Sequence, residues 1–238
     1  AKNSYPVRFT ARSAFRVCLM KLLPALLFSL LPAFTANAAR PNILFIYADD
    51  WGFGDLACHG HPHLKTPNLD RIAREGTDFH QFTVCNPVCS PSRTAIVTGQ
   101  YPARHGVHQH FAGHAENVAR NMPDWLDPKA PLLPRVLHEA GYATAHYGKW
   151  HLSGQGTDLS APLPSAYGYD DAAVWTGPGK SVFEGSSVDG KAGSAHDAIG
   201  ASFQTIAATD HAVRFIREHK DKPFYLNLWI HETHHLVS

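Results

Sequence analysis

Three short polar clusters break the chain: Asp49-Asp50, Gly148-Lys149-Trp150-His151, and His231-Glu232-Thr233-His234-His235. Adjacent carboxylates are hard oxygen ligands suited to Ca²⁺ or Mg²⁺. A lysine offers a point positive charge to an anion. Histidines donate hydrogen bonds to that anion or pass a proton to a leaving group. Metal, anion site and acid together suit hydrolysis of a sulfate or phosphate ester. A fourth segment, Cys89-Ser90-Pro91-Ser92-Arg93-Thr94-Ala95-Ile96-Val97-Thr98-Gly99, carries a nucleophile-type residue. Ser92 or a neighbour can cap a helix running through Ile96 and Val97 to Gly99. Cys89 then lies at the positive helix N-terminus, where an anion is favoured, and Arg93 adds a fixed charge. Taken singly, each feature has a plainer reading: a solvated loop for the Asp pair, a buried structural cysteine before a proline turn for Cys89.

These clusters can meet only if the runs that precede them are parallel strands, because ligands in open α/β sheets bind beyond the strands' carboxyl ends. Asn42–Tyr47 is a nearly continuous apolar run that reads as a strand buried on both faces. Tyr142–Tyr147 and Phe224–Ile230 read as two more strands. Between them lie helical patterns: Thr66 to Gly76 with Pro67 at the first helical position, Leu132 to Ala140 stopped by Gly141, and Phe203 to Ile216 before Lys222-Pro223. The alternation predicts an α/β fold, a mostly parallel central sheet flanked by helices. Gly154 to Gly200, rich in Gly, Ser, Ala and Pro, reads as loops and insertions.

The composition agrees with a folded globular chain: 238 residues, 44% hydrophobic, 17% charged. A net charge of +1 gives no reason to expect nucleic acid as a partner. The 17 histidines carry meaning only through their positions. Residues 1–38 are expected to be an export region outside the fold. Met20-Lys21 opens it, Leu22–Leu31 is its apolar core, and Ala36-Asn37-Ala38 is its cleavage pattern, with residues 1–19 lying upstream of the signal. Pro24, Pro32 and the short apolar core argue against a stable membrane span. The expected location is secreted or periplasmic, with cleavage near Ala38. Cys58, Cys85 and Cys89 remain beyond that point, an odd number for an oxidising compartment.

Cys-x-Pro-Ser-Arg followed by Thr98-Gly99 resembles the signature of type I, formylglycine-dependent sulfatases of the alkaline-phosphatase-like superfamily. Ala48-Asp49-Asp50-Trp51-Gly52-Phe53-Gly54-Asp55 is similar to that family's first metal-binding segment. Thr66 to Gly76 resembles the helix after it, and Gly141-Tyr142 through Gly148-Lys149-Trp150-His151-Leu152 its second signature. The likeness covers most of residues 42–152 and is nearest to arylsulfatases and N-acetylgalactosamine-6-sulfatases. It implies that residues 39–238 are the N-terminal portion of a catalytic domain.

The resemblance further implies that Cys89 is oxidised during export, by a formylglycine-generating or sulfatase-maturating enzyme, to an aldehyde whose hydrate supplies the attacking hydroxyl. The hydrate's second hydroxyl can lose its proton and expel sulfate, so no water need attack a hindered ester. Asp49, Asp50 and the modified Cys89 would bind Ca²⁺, with Mg²⁺ the lesser candidate. Arg93, Lys149 and His151 would contact the nucleophile or the sulfate. Thr233-His234 fits the family's late histidine slot and favours His234 as general acid, with His231 and His235 as competitors. The family's second pair of metal ligands and a further lysine are expected beyond Ser238. Cys85 is expected to be a packed thiol, and a Cys58–Cys85 disulfide would resolve the odd count. The implied substrate is an aryl sulfate or sulfated carbohydrate. The rival readings are a phosphodiesterase or phosphonate monoester hydrolase of the same superfamily, and an inactive truncated fragment.

Overall fold

The computed structural model describes residues 40–154, 160–182, 187–188, 191–192 and 201–234. The expected export region and His235 lie outside them. Strand β1 is Ile43–Ala48. Helix α1, Pro67–Glu75, has proline at its start, where a missing N–H costs nothing, and ends at Gly76, whose N–H bonds the Ile72 carbonyl at 2.9 Å. Thr66 ties this helix to the preceding loop instead of capping it: its hydroxyl donates to Asp70 at 2.7 Å and accepts from the Ala57 N–H at 2.9 Å.

Helix α2 is Cys89–Thr98, closed by Gly99 at a left-handed φ of 63°. Short helices α3, His114–Ala119, and α4, Leu133–Glu139, lead to strand β2, Ala143–Lys149. Strand β3 is Asp171–Trp175, and a small hairpin pairs β4, Ser187–Val188, with β5, Lys191–Ala192. Helix α5, Ala201–Glu218, precedes strand β6, Phe224–Ile230.

The main sheet has the order β1-β6-β2-β3, with every pairing parallel. The expected α/β architecture is therefore present. One face of the sheet carries Tyr225, Trp229 and Val174, packed with Val97 of α2, Phe111, Leu126, Leu132 and Trp150. The other carries Ala145, Tyr147, Leu226 and Leu228 beneath Ala208, Ala212 and Phe215 of α5. Both clusters remove apolar surface from water, the main driving force for the layered arrangement.

Three expectations need correction. Gly154 to Gly200 is not all loop, because Asp171–Trp175 pairs with β2 from Ala145↔Asp171 to Lys149↔Trp175. That strand is short and opens on a carboxylate, so propensity hides what the pairing supplies. Next, β1 is not buried on both faces. Phe45 and Tyr47 pack inward, while Leu44 and Ile46 on the opposite face are 46% and 45% exposed. The strand stands at the edge of the described sheet, and α5 packs on β2 and β6. Finally, Cys58 and Cys85 are free and exposed, so neither a packed Cys85 nor a disulfide is present. The Cys58 N–H bonds Asp70 at 3.1 Å, which ties Cys58 to α1.

Candidate active site

The parallel register brings Ala48 opposite Ile230 and Lys149 opposite Trp175, so the residues after four strands share one edge. Asp49, Lys149, His151, His231 and His234 come together there, as the three-cluster reading requires. Asp49 is buried, and its N–H continues the ladder to the Ile230 carbonyl at 3.1 Å. Its carboxylate meets four nitrogens. Lys149 Nζ and His231 Nδ1 reach Oδ2, the latter at 3.2 Å; His234 Nε2 is 4.0 Å from Oδ2, and Arg93 Nη2 is 3.3 Å from Oδ1. Burial alone would raise the Asp49 pKa. The His231 hydrogen bond, Arg93 and Lys149 outweigh it and hold the carboxyl well below the usual range.

Arg93 lies one turn into α2 and is fully buried. Burial lowers its pKa against the opposing pull of Asp49, but a guanidinium keeps its charge in proteins. Its Nη1 donates to the Lys149 carbonyl at 3.2 Å, and its guanidinium lies 4.8 Å from the Trp229 ring centroid and 5.4 Å from that of Tyr47. The same Lys149 carbonyl accepts from His146 Nε2 at 3.1 Å. His146 is fully buried and pushed down to about 3 by burial, with Arg93 adding to the effect, so it stays neutral.

Lys149 is delivered by a close approach of two strands. Gly148 has φ of 106°, and a Cβ there would stand 2.0 Å from the Trp229 carbonyl oxygen. Beyond the strand, His151 adopts φ of 48° and its Nε2 donates to the Phe111 carbonyl at 3.0 Å. Burial, aided by Lys149 and Arg93, lowers its pKa to about 3. His151 is thus neutral, with a buried Nδ1 acceptor that has no hydrogen-bond partner among the described residues.

Cys89 is the first residue of α2, with Val88 as N-cap, so the helix starts three residues before Ser92. Ser92 does not cap it; its hydroxyl donates to the Asn86 carbonyl, while Asn86 Oδ1 accepts from the Val88 N–H at 2.8 Å. This knot fixes the turn into the helix and leaves Cys89 half-buried at its positive end. Ser90, on the buried side, accepts the Phe111 N–H at 3.0 Å.

A cleft of about 660 Å³ is lined by Cys89, Lys149, His151, His231, His234 and Asp50. Its far wall is formed by Gln109, His110, Trp175 and Thr176, which the sequence did not single out residue by residue. Trp175 and Thr176 follow from a strand that was not anticipated. A connecting loop brings Gln109 and His110, and no residue-type signal marks them. Thr176, like Asp50, takes a left-handed φ, of 58° and 55° respectively. A side pocket of about 220 Å³ is lined by Asp49, Asp50 and Cys89 together. Two carboxylates, one held ionised, beside the helix N-terminal cysteine fit part of a hard-cation site.

Residues 41–238 match the family model described as Sulfatase. The chain belongs to the sulfatase family. This sulfatase chain is 47% identical over 120 residues to pig N-acetylgalactosamine-6-sulfatase, covering 50% of the chain and 23% of the relative. It is 42% identical over 142 residues to mouse steryl-sulfatase, covering 58% and 23%. Among solved structures, BT4656 in complex with its substrate D-glucosamine-2-N,6-O-disulfate superposes with a TM-score of 0.57 and 30% identity, over 82% of this chain and 35% of the other. The sulfatase match thus spans under a quarter of these two curated relatives. Among the described residues, no helix is long and apolar enough to cross a membrane.

Proposed function

We propose that the protein hydrolyses sulfate esters of a sulfated sugar, as a secreted or periplasmic enzyme of which residues 39–238 form the N-terminal portion of the catalytic domain. The observation that carries this reading is the common cleft that holds Cys89 at a helix N-terminus together with Lys149, His151, His231 and His234. The names of the relatives support sulfate esters as substrates, and two of those names specify an amino sugar.

In this reading a maturating enzyme converts Cys89 to formylglycine, whose hydrate supplies the attacking hydroxyl. Asp49 and Asp50 would hold Ca²⁺, which would supply positive charge to the bound sulfate ester. Arg93 and Lys149 add fixed cations in a buried setting, where preorganised charge lowers a barrier most effectively. His151, kept neutral, offers a hydrogen-bond acceptor at Nδ1. His234 donates the proton to the leaving oxygen. Burial and Lys149 lower its pKa, which strengthens the protonated form as an acid while reducing its share at neutral pH. The buried hydroxyl-rich start of α2 keeps the nucleophile's helix in place.

Mass spectrometry of the tryptic peptide Glu75–Arg93 from exported protein tests the reading. Loss of the Cys89 sulfur for an aldehyde is expected, and an unmodified thiol throughout would overturn it. Faster turnover of an aryl sulfate than of an aryl phosphate diester separates sulfatase from phosphodiesterase.

A further inference from the structure

We infer that Asp49, His231 and His234 form a site for a divalent cation of the zinc class, separate in chemistry from the all-oxygen site proposed for Ca²⁺. The three residues present ligand atoms that all lie within 4.8 Å of one another. His231 Nδ1 is 3.2 Å and His234 Nε2 4.0 Å from the same Asp49 oxygen. Zinc bonds of about 2.0–2.2 Å in a tetrahedron place ligand atoms roughly 3.3 Å apart. The first distance already fits, and the second needs less than an ångström of imidazole movement.

The backbone prepares this arrangement. The His234 N–H bonds the His231 carbonyl at 2.9 Å, a single turn that stacks the two rings with centroids 4.7 Å apart. The Thr233 hydroxyl fastens that turn to the Asp49 carbonyl. Two imidazoles and one carboxylate, with a fourth position open to a cleft, match the donor set of zinc sites and are a poor one for calcium. Lys149 Nζ now neutralises Asp49 Oδ2. A doubly charged ion displaces that ammonium, so Lys149 opposes binding. If the proposed function holds, zinc would occupy a Ca²⁺ ligand and the acid together and inhibit hydrolysis; the site itself does not depend on that function.

Titration of the purified chain with Co²⁺ tests the site through the intense visible bands of four- or five-coordinate cobalt. The bands should be abolished by Zn²⁺, and Ca²⁺, which shares only Asp49 with this site, should weaken them only at far higher concentration than Zn²⁺. They should disappear in His231→Gln and in His234→Gln, persist in Asp50→Asn, and appear at lower Co²⁺ in Lys149→Met. Bands that survive in both histidine variants would place cobalt elsewhere and overturn the proposal. Should a histidine variant misfold, X-ray absorption of the Zn²⁺-loaded wild-type chain decides: two imidazoles and a carboxylate as nearest neighbours support the site, and any other ligand set removes it. A thiol at Cys89 in the peptide experiment would remove the sulfatase reading and leave these spectra unchanged.

Discussion

The Lys149 ammonium and the Asp49 carboxylate, one hundred positions apart in the chain, form a buried ion pair across the sheet edge. Strand β6 separates the two strands that carry them, so the pair spans the middle of the site. Removing one partner of a buried pair costs far more than the pair itself contributes, because a charge is left uncompensated. Asp49→Ala strands both Lys149 and Arg93 and should destabilise the metal-free chain by about 3–5 kcal/mol in urea denaturation. Lys149→Met should cost less, since Asp49 keeps Arg93 and His231.

Acid should weaken the fold through two histidines. His146 and His151 have folded pKa values lowered to about 3, against an ordinary value near 6.5. Below pH 6.5 the unfolded chain takes up protons that the folded chain refuses, so stability falls as pH drops from there towards 3. The slope should reach about 1.4 kcal/mol per pH unit for each histidine. Asp49 acts in the same direction but only as pH falls below its unfolded value near 4. Urea denaturation at pH 7, 6 and 5 measures the slope, and His146→Phe should remove its own share of it.

Gly148 admits no side chain. Its φ of 106° and the 2.0 Å approach to the Trp229 carbonyl mean that alanine must part β2 from β6 at the position that delivers Lys149. Gly148→Ala should cost more than about 3 kcal/mol, visible as a lowered thermal midpoint or lost soluble yield. Gly99→Ala is a contrast: its φ of 63° carries strain, but nothing lies within 4 Å of the added Cβ, so about 1 kcal/mol is expected.

Arg93 and lysine are not equivalent at this position. A lysine would keep the charge yet lose the forked contact to Asp49 Oδ1 and the Lys149 carbonyl, as well as the stacking against Trp229. If the proposed function holds, Arg93→Lys should lower kcat for an aryl sulfate by about 10²-fold or more. Steady-state assays with matched folding controls check this.

Strands β1, β2 and β6 were legible because each is a short run of strand-forming residues that gives way to unlike polar residues. Their parallel pairing then made the meeting of Asp49, Lys149 and His231 a matter of topology. Strand β3 was hidden because five residues opening on Asp171 carry too little pattern against a Gly-rich background. The capping role expected of Ser92 failed for a related reason: the Asn86 turn, not a side-chain cap, sets where α2 begins. His146 could not be told from a ligand by residue type, since only packing against Trp150, Tyr169 and Trp229 shows it to be an interior group beneath Lys149. Gln109 and His110 reach the cleft through loop geometry, which no periodicity encodes.

The contact between Asp49 and His231 spans 182 positions, and β1 finds its only described neighbour in the last strand. Such long-range closure is entropically slow and comes late in folding. Helix α2, by contrast, sets the spacing of Cys89 and Arg93 through hydrogen bonds local in the chain. A chain halted before Phe224 would already hold the cysteine, the arginine and both carboxylates, yet would lack the strand that seats Asp49 beside Lys149. The order of synthesis therefore separates the appearance of the cysteine from that of the charge field around it.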